Sequence, residues 1–164
     1  MRKVYSKYGD KVEIVVVEDL AGGDFTNALD GVSAVIHAAT PIPGREELKD
    51  VLEVSDPSAR YLGSSLHLWV QVTREAALNI VRQAVAAGVK HISYIGTIGS
   101  LMNFTEPVIK APLTDKHWNS LTEEAALDSG DGVLVYTVSK TQAEKDLFKF
   151  AEEHPELNLT SGTF

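Results

Sequence analysis

His91-Ile92-Ser93-Tyr94-Ile95-Gly96-Thr97-Ile98-Gly99-Ser100 decides the fold. The first five residues are a β-rich apolar run and the next five a small, hydroxyl-bearing turn, which is the pattern of a buried strand that ends abruptly. Upstream, Thr73 to Ala87 places apolar residues at Ala76, Ala77, Ile80, Val81, Ala84 and Val85. This is a helical period, and it stops at Gly88, a natural C-cap. Downstream, Thr137 to Glu153 is a second long helix, with Ala143, Leu147 and Phe150 on one face and Pro155 just beyond its end. Further out, Lys11 to Val17 (KVEIVVV) reads as a near-continuous apolar strand, Phe25 to Leu29 as a short helix and Ser33 to His37 as another buried strand. Leu157 to Thr160 begins one more strand. Strands alternating with helices, the strands apolar throughout, predict an α/β fold whose parallel sheet is covered on both faces.

Composition narrows the function classes. With 164 residues, 44% hydrophobic and 23% charged, the chain can bury one core and has the make-up of a globular domain. A net charge of −8 and a pI near 5.1 argue against a phosphate-backbone partner, and no basic stripe is present. The absence of cysteine excludes disulfides, thiolate zinc sites and a cysteine nucleophile, and it fits a reducing compartment. The histidines at 37, 67, 91, 117 and 154 form no i, i+4 pair, so no metal site is expected. No apolar run approaches the roughly 18 residues needed to span a bilayer, and polar sequence follows Met1-Arg2-Lys3. The expected location is cytoplasmic, with no membrane or nucleic-acid partner.

Tyr136-Thr137-Val138-Ser139-Lys140 carries the chemistry. Four residues apart on a helix, the two side chains share a face, so an ammonium can sit below a phenol and lower a pKa that is about 10 when unperturbed. Such a tyrosine gives a proton to a carbonyl oxygen or takes one from an alcohol. Five tyrosines among 164 residues make such a pair by chance about 0.3 times, so the spacing alone decides little. The context adds weight. In open α/β sheets ligands bind beyond the carboxyl ends of the strands, where the Thr97 hydroxyl would meet a substrate carbonyl.

Four stretches together resemble the extended short-chain dehydrogenases/reductases, of the NAD-dependent epimerase/dehydratase superfamily: Gly31 to Pro41 (GVSAVIHAATP), Ala86-Ala87-Gly88-Val89-Lys90-His91, Asp115-Lys116-His117-Trp118-Asn119, and Tyr136 to Glu144. Within that family the resemblance is to the branch of dihydroflavonol reductase, cinnamoyl-CoA reductase and the fungal methylglyoxal or ketone reductases. It implies a catalytic trio of Thr97, Tyr136 and Lys140, with threonine where serine is more common, and NADP as cofactor, NAD being possible. It also implies cofactor contacts at Asp19 and Leu20 on the adenine side, at Ala38, Ala39 and Thr40 after the second strand, and at Tyr136 and Lys140. A strand-end carboxylate such as Asp19 is also what plain solvation would give. The implied activity is hydride transfer to a ketone or aldehyde, with a small-molecule carbonyl as partner. A sugar-nucleotide epimerase or dehydratase shares the trio, but the Trp118-Asn119 loop favours the reductase branch. His37 is expected to be a strand residue, Asn79 structural, and Trp118 and Asn119 loop packing.

The departures are equally specific. The G-x-x-G-x-x-G turn that cradles a pyrophosphate is absent, and Gly22-Gly23 opens no long helix. The resemblance therefore implies a chain truncated at both ends, in which residues 1–164 form a partial NAD(P)-binding Rossmann domain. Its doubly wound parallel sheet would lack the first two strands and the C-terminal substrate domain, leaving an unpaired parallel edge. A non-catalytic truncated product is the rival expectation. Residues 54–71 interrupt the family-like path into the helix containing Asn79. Val54-Ser55 and Gln71 can be encoded by the bases that end an intron, so the segment reads as a retained intron or a surface insertion. On the first reading Leu66, Leu68 and Trp69 would lack packing partners and the segment would be mobile.

Overall fold

A computed structural model describes residues 2–40, 62–106 and 112–163. Three strands, β1 (Ala34–His37), β2 (His91–Ile95) and β3 (Asn158–Gly162), form a parallel sheet in the order β1-β2-β3. Their register pairs His37 with Tyr94 and Tyr94 with Ser161. Helix α1 (Arg2–Tyr5) and a 3-10 segment (Ser6–Lys11) open the chain, and α2 (Thr26–Leu29) precedes β1. Helix α3 (Leu62–Ala86) leads into β2, while α4 (Glu123–Ser129) and α5 (Gly132–Glu152) separate β2 from β3.

Side-chain chemistry sets the helix ends. Past α3, Gly88 takes φ +84°; its N–H donates to the Val85 carbonyl and the Val89 N–H to that of Ala84, so a reversed turn satisfies the last carbonyls. Asp131 caps α5 by accepting from the N–H groups of Val133 and Leu134, and Thr122 caps α4 through Ala125. The main core lies between α3, α5 and one sheet face: Ala77, Val81 and Ala84 from α3 meet Ala143 and Leu147 from α5 above Ile92 and Tyr94.

Three expectations are corrected. First, KVEIVVV is not a strand: residues 12–17 have no ladder partner among the described residues, and Val16 is 79% exposed. An extended run is stabilised only when its N–H and C=O groups find a neighbour, and here the three strands pair with one another. Second, the sheet is covered on one face only among the described residues. Val35, His37, Ile92 and Tyr94 turn to the helices, whereas Ile36 on the other face is 76% exposed, and Ala34, His91, Asn158 and Thr160 are exposed as well. Third, α3 begins at Leu62, inside the segment read as an insertion. Trp69 is 4% exposed and packs with Val70, Ala126, Val135 and Val138 in a second core, Leu66 lies against that core, and Leu68 is half-buried. The lack of packing partners that the intron reading alone implied is overturned because this stretch continues the helical period towards the chain's start; residues 54–61 lie outside the described residues. No described helix is long and apolar enough to cross a membrane.

Candidate active site at the carboxyl end of the sheet

Lys140 sits in the third turn of α5, 2% exposed. Its ammonium donates to the Thr40 hydroxyl oxygen and to the Ile95 carbonyl, each at 3.0 Å, so one buried charge joins the carboxyl ends of β1 and β2. It also lies 4.1 Å from the centre of the Tyr94 ring, a cation–π distance. Burial pulls the Lys140 pKa down to about 8, opposed by the charge of Glu144 one turn further along the helix.

Tyr136 stands one turn before Lys140 and is half-buried. Burial pushes its phenol pKa up, which departs from the lowering expected of a neighbouring ammonium. Loss of water around the phenol is the cause; two of the three Lys140 N–H groups go to Thr40 and Ile95. The phenol is thus held in its proton-bearing form.

Thr97 follows β2 and caps the 3-10 turn Ile98–Ser100, its hydroxyl oxygen accepting from the Gly99 N–H at 3.3 Å. The hydroxyl proton stays available to a carbonyl. Gly99 presses this turn onto α5: a Cβ there would lie 2.5 Å from Cγ2 of Thr137, so only glycine permits the approach. Asn119, 5% exposed, locks the same contact. Its amide nitrogen donates to the Gly99 carbonyl at 2.9 Å and to the Thr137 hydroxyl at 3.4 Å, and its own N–H donates to the Ser100 carbonyl. Trp118 packs edge-on to Phe148. The loop role expected of both residues holds.

The fold therefore gathers Thr97, Tyr136, Lys140 and Thr40 at one end of the sheet, with exposed Ala38 and Ala39 beside Thr40. Asp19 and Leu20 are not joined to that group by any hydrogen bond among the described residues. The Asp19 carboxylate accepts from the Ala21 N–H, and the Leu20 carbonyl accepts from Asn79. Asn79 and Gln83 both donate to the Gly23 carbonyl, so they fix this turn on α3, the structural role expected of Asn79. His37 is a buried strand residue whose pKa falls to about 4, through burial and then the Lys140 charge. Sequence reasoning missed Tyr94 and Glu144. The signal for Glu144 was its spacing from Lys140, the same four residues that singled out Tyr136.

A parallel α/β sheet with these groups beyond its strand ends has the fold of the Rossmann-type reductases, and solved structures bear this out. Yeast methylglyoxal/isovaleraldehyde reductase Gre2, complexed with NADPH, superposes with a TM-score of 0.66 at 16% identity, over 99% of this chain and 46% of its own. Gre2 of Candida albicans, also with NADPH, gives 0.67 at 18% identity, over 99% and 44%. The chain's relatives by sequence are oxidoreductases and a dihydroflavonol reductase. An uncharacterised oxidoreductase of Schizosaccharomyces pombe is 25% identical over 147 residues, covering 88% of this chain and 39% of the relative. Dihydroflavonol 4-reductase of Medicago sativa is 31% identical over 133 residues, covering 80% and 52%. The chain thus spans about half, or less, of the length of the relatives it matches. No family model matches it.

Proposed function

We propose that this chain carries the proton-handling part of an NADP(H)-dependent reductase of ketones or aldehydes. The observation that carries the reading is the buried ammonium of Lys140 tying Thr40 to the end of β2, one helical turn from Tyr136. When bound, the nicotinamide supplies hydride to the carbonyl carbon. The chain's residues do the rest: Thr97 donates its free hydroxyl proton to the carbonyl oxygen, Tyr136 gives up the phenolic proton as negative charge grows there, and Lys140 stabilises the resulting phenolate. The described residues fit the ribose and nicotinamide end of the cofactor, where Ala38 and Ala39 are open and Lys140 has a hydroxyl partner. They offer no glycine-rich cradle for the pyrophosphate. Preference for NADP over NAD rests on the reductases that this chain is similar to.

The test has two parts. Calorimetric titration of the 164-residue chain with NADPH is expected to show weak or no binding, and micromolar affinity would contradict the account of the cradle. Next, the glycine-rich and C-terminal segments of a dihydroflavonol reductase are joined to this chain, and NADPH oxidation is followed with ketones and aldehydes. Tyr136→Phe should cut turnover about a hundredfold or more while NADPH still binds; near-normal turnover would remove Tyr136 from the mechanism. The rate should also fall as pH rises through about 8, where Lys140 loses its proton.

A further inference from the structure

Behind Lys140, on the side of the sheet that α5 covers, three buried oxygens have no protein hydrogen-bond partner: the Tyr94 hydroxyl, Oε2 of Glu144 and the Ser161 hydroxyl. Tyr94 and Ser161 are register partners on β2 and β3, so their side chains stand next to each other on one sheet face. Glu144, 7% exposed, descends onto them from α5. Gly96 completes the ring. A Cβ at Gly96 would lie 3.0 Å from the Ser161 hydroxyl oxygen and 3.3 and 3.4 Å from the two Glu144 oxygens, so these polar atoms gather around bare backbone and a side chain there would crowd them. Leaving a carboxylate oxygen and two hydroxyls buried and unpaired is costly. Proteins hold internal water where two to four buried polar groups without protein partners come together.

We propose that Gly96, Tyr94, Glu144 and Ser161 enclose an internal water site that braces Lys140 from behind, which makes Glu144 a positioning residue for the ammonium. The water satisfies Oε2 of Glu144 and both hydroxyls, and so fixes the carboxylate one turn from Lys140. The Tyr94 ring carries the ammonium on its face, 4.1 Å from the ring centre. Among the described residues, the titratable groups around Lys140 are Tyr94 from β2, His37 from β1, and Tyr136 and Glu144 from its own helix. Burial lowers the Lys140 pKa and raises that of Tyr94, and the negative charge of Glu144 acts on both in the upward direction. The role of this brace in catalysis rests on the reductase reading, whereas the water site stands on geometry.

Water-selective cross-relaxation NMR on the 164-residue chain should show a long-lived water at the Gly96 and Ser161 amides. Gly96→Ala, whose methyl crowds the Ser161 and Glu144 oxygens, should abolish it. In Glu144→Gln, which keeps the shape, the Lys140 titration midpoint read from its Cε shift should fall by about one pH unit, while Glu75→Gln on exposed α3 surface leaves it in place. Should Gly96→Ala fail to fold, Ser161→Ala serves, and it too should lose the water contact. No water contact in the unaltered chain, or an unmoved midpoint in Glu144→Gln, overturns the proposal. Neither readout needs turnover, so a chimera that reduces no carbonyl would sink the reductase reading and leave this site standing.

Discussion

Two apolar runs in this chain have similar composition and opposite fates. His91–Ile95 lies between two parallel neighbours beneath α3 and α5, with Ile92 2% and Tyr94 1% exposed. Residues 12–17, richer in valine, join no ladder among the described residues, where only Val17 of the six packs against the core. Strand propensity is thus a property of the surroundings as much as of the residues. The first run is held because neighbouring strands satisfy its backbone and two helices cover its side chains. The second has neither.

If that contrast is right, substitutions should be costly in proportion to the contacts around them. The largest effect is expected at Trp69, where Trp69→Ala should lower stability by about 3–5 kcal/mol in urea unfolding; a loss below about 1 kcal/mol would revive the idea of a segment without evolved partners. His37 comes next. Its folded pKa of about 4 lies below the ordinary 6.5, so the unfolded chain takes up the proton first as pH falls. The stability this contributes is complete above pH 6.5 and is lost on the way down to pH 4, on the order of 3 kcal/mol. The slope of unfolding free energy against pH should therefore be shallower in His37→Gln across that window. An equal slope would mean His37 is not buried neutral.

Gly99→Ala should cost about 1–3 kcal/mol by driving a methyl into Thr137, and Thr137→Ser in the same chain should recover part of the loss by removing Cγ2. If the double variant is no better than the single one, the contact is not the cause. The smallest effect belongs to the other region: Val16→Ser should change stability by no more than about 0.5 kcal/mol. A loss of several kcal/mol there would show that residues 12–17 are covered in solution.

What the sequence made legible was what short-range pattern determines. The three strands of the sheet, the face of α5 bearing Ala143 and Leu147, and the stop at Gly88 all follow from periodicity and turn chemistry over a dozen residues. Pairing is non-local, so nothing within KVEIVVV announces that a neighbour is lacking. The start of α3 was legible and was missed: Leu66, Trp69, Val70 and Thr73 carry the spacing of Ala76, Ala77 and Ile80 back by two turns, but the departure from a family pattern outweighed it. At the site, Thr97, Tyr136, Lys140 and Thr40 were expected and are brought to one end of the sheet. The direction of the Tyr136 pKa was not foreseen, because helical spacing places an ammonium near a phenol without saying how much water the phenol loses on burial.

The contact between Gly99 and Thr137 makes the two hydroxyl-bearing elements behave as one jig. Thr97 hangs from the sheet and Tyr136 from a helix, and in most folds such parts can drift against each other by a fraction of an ångström as side chains repack. Here the bare backbone of Gly99 rests directly on the Thr137 side chain of the helix, and Asn119 clamps both sides of the joint. Any roll of α5 about its axis is therefore transmitted to the turn instead of being absorbed. The two hydroxyls travel together, and their spacing is gauged by a residue with no side chain.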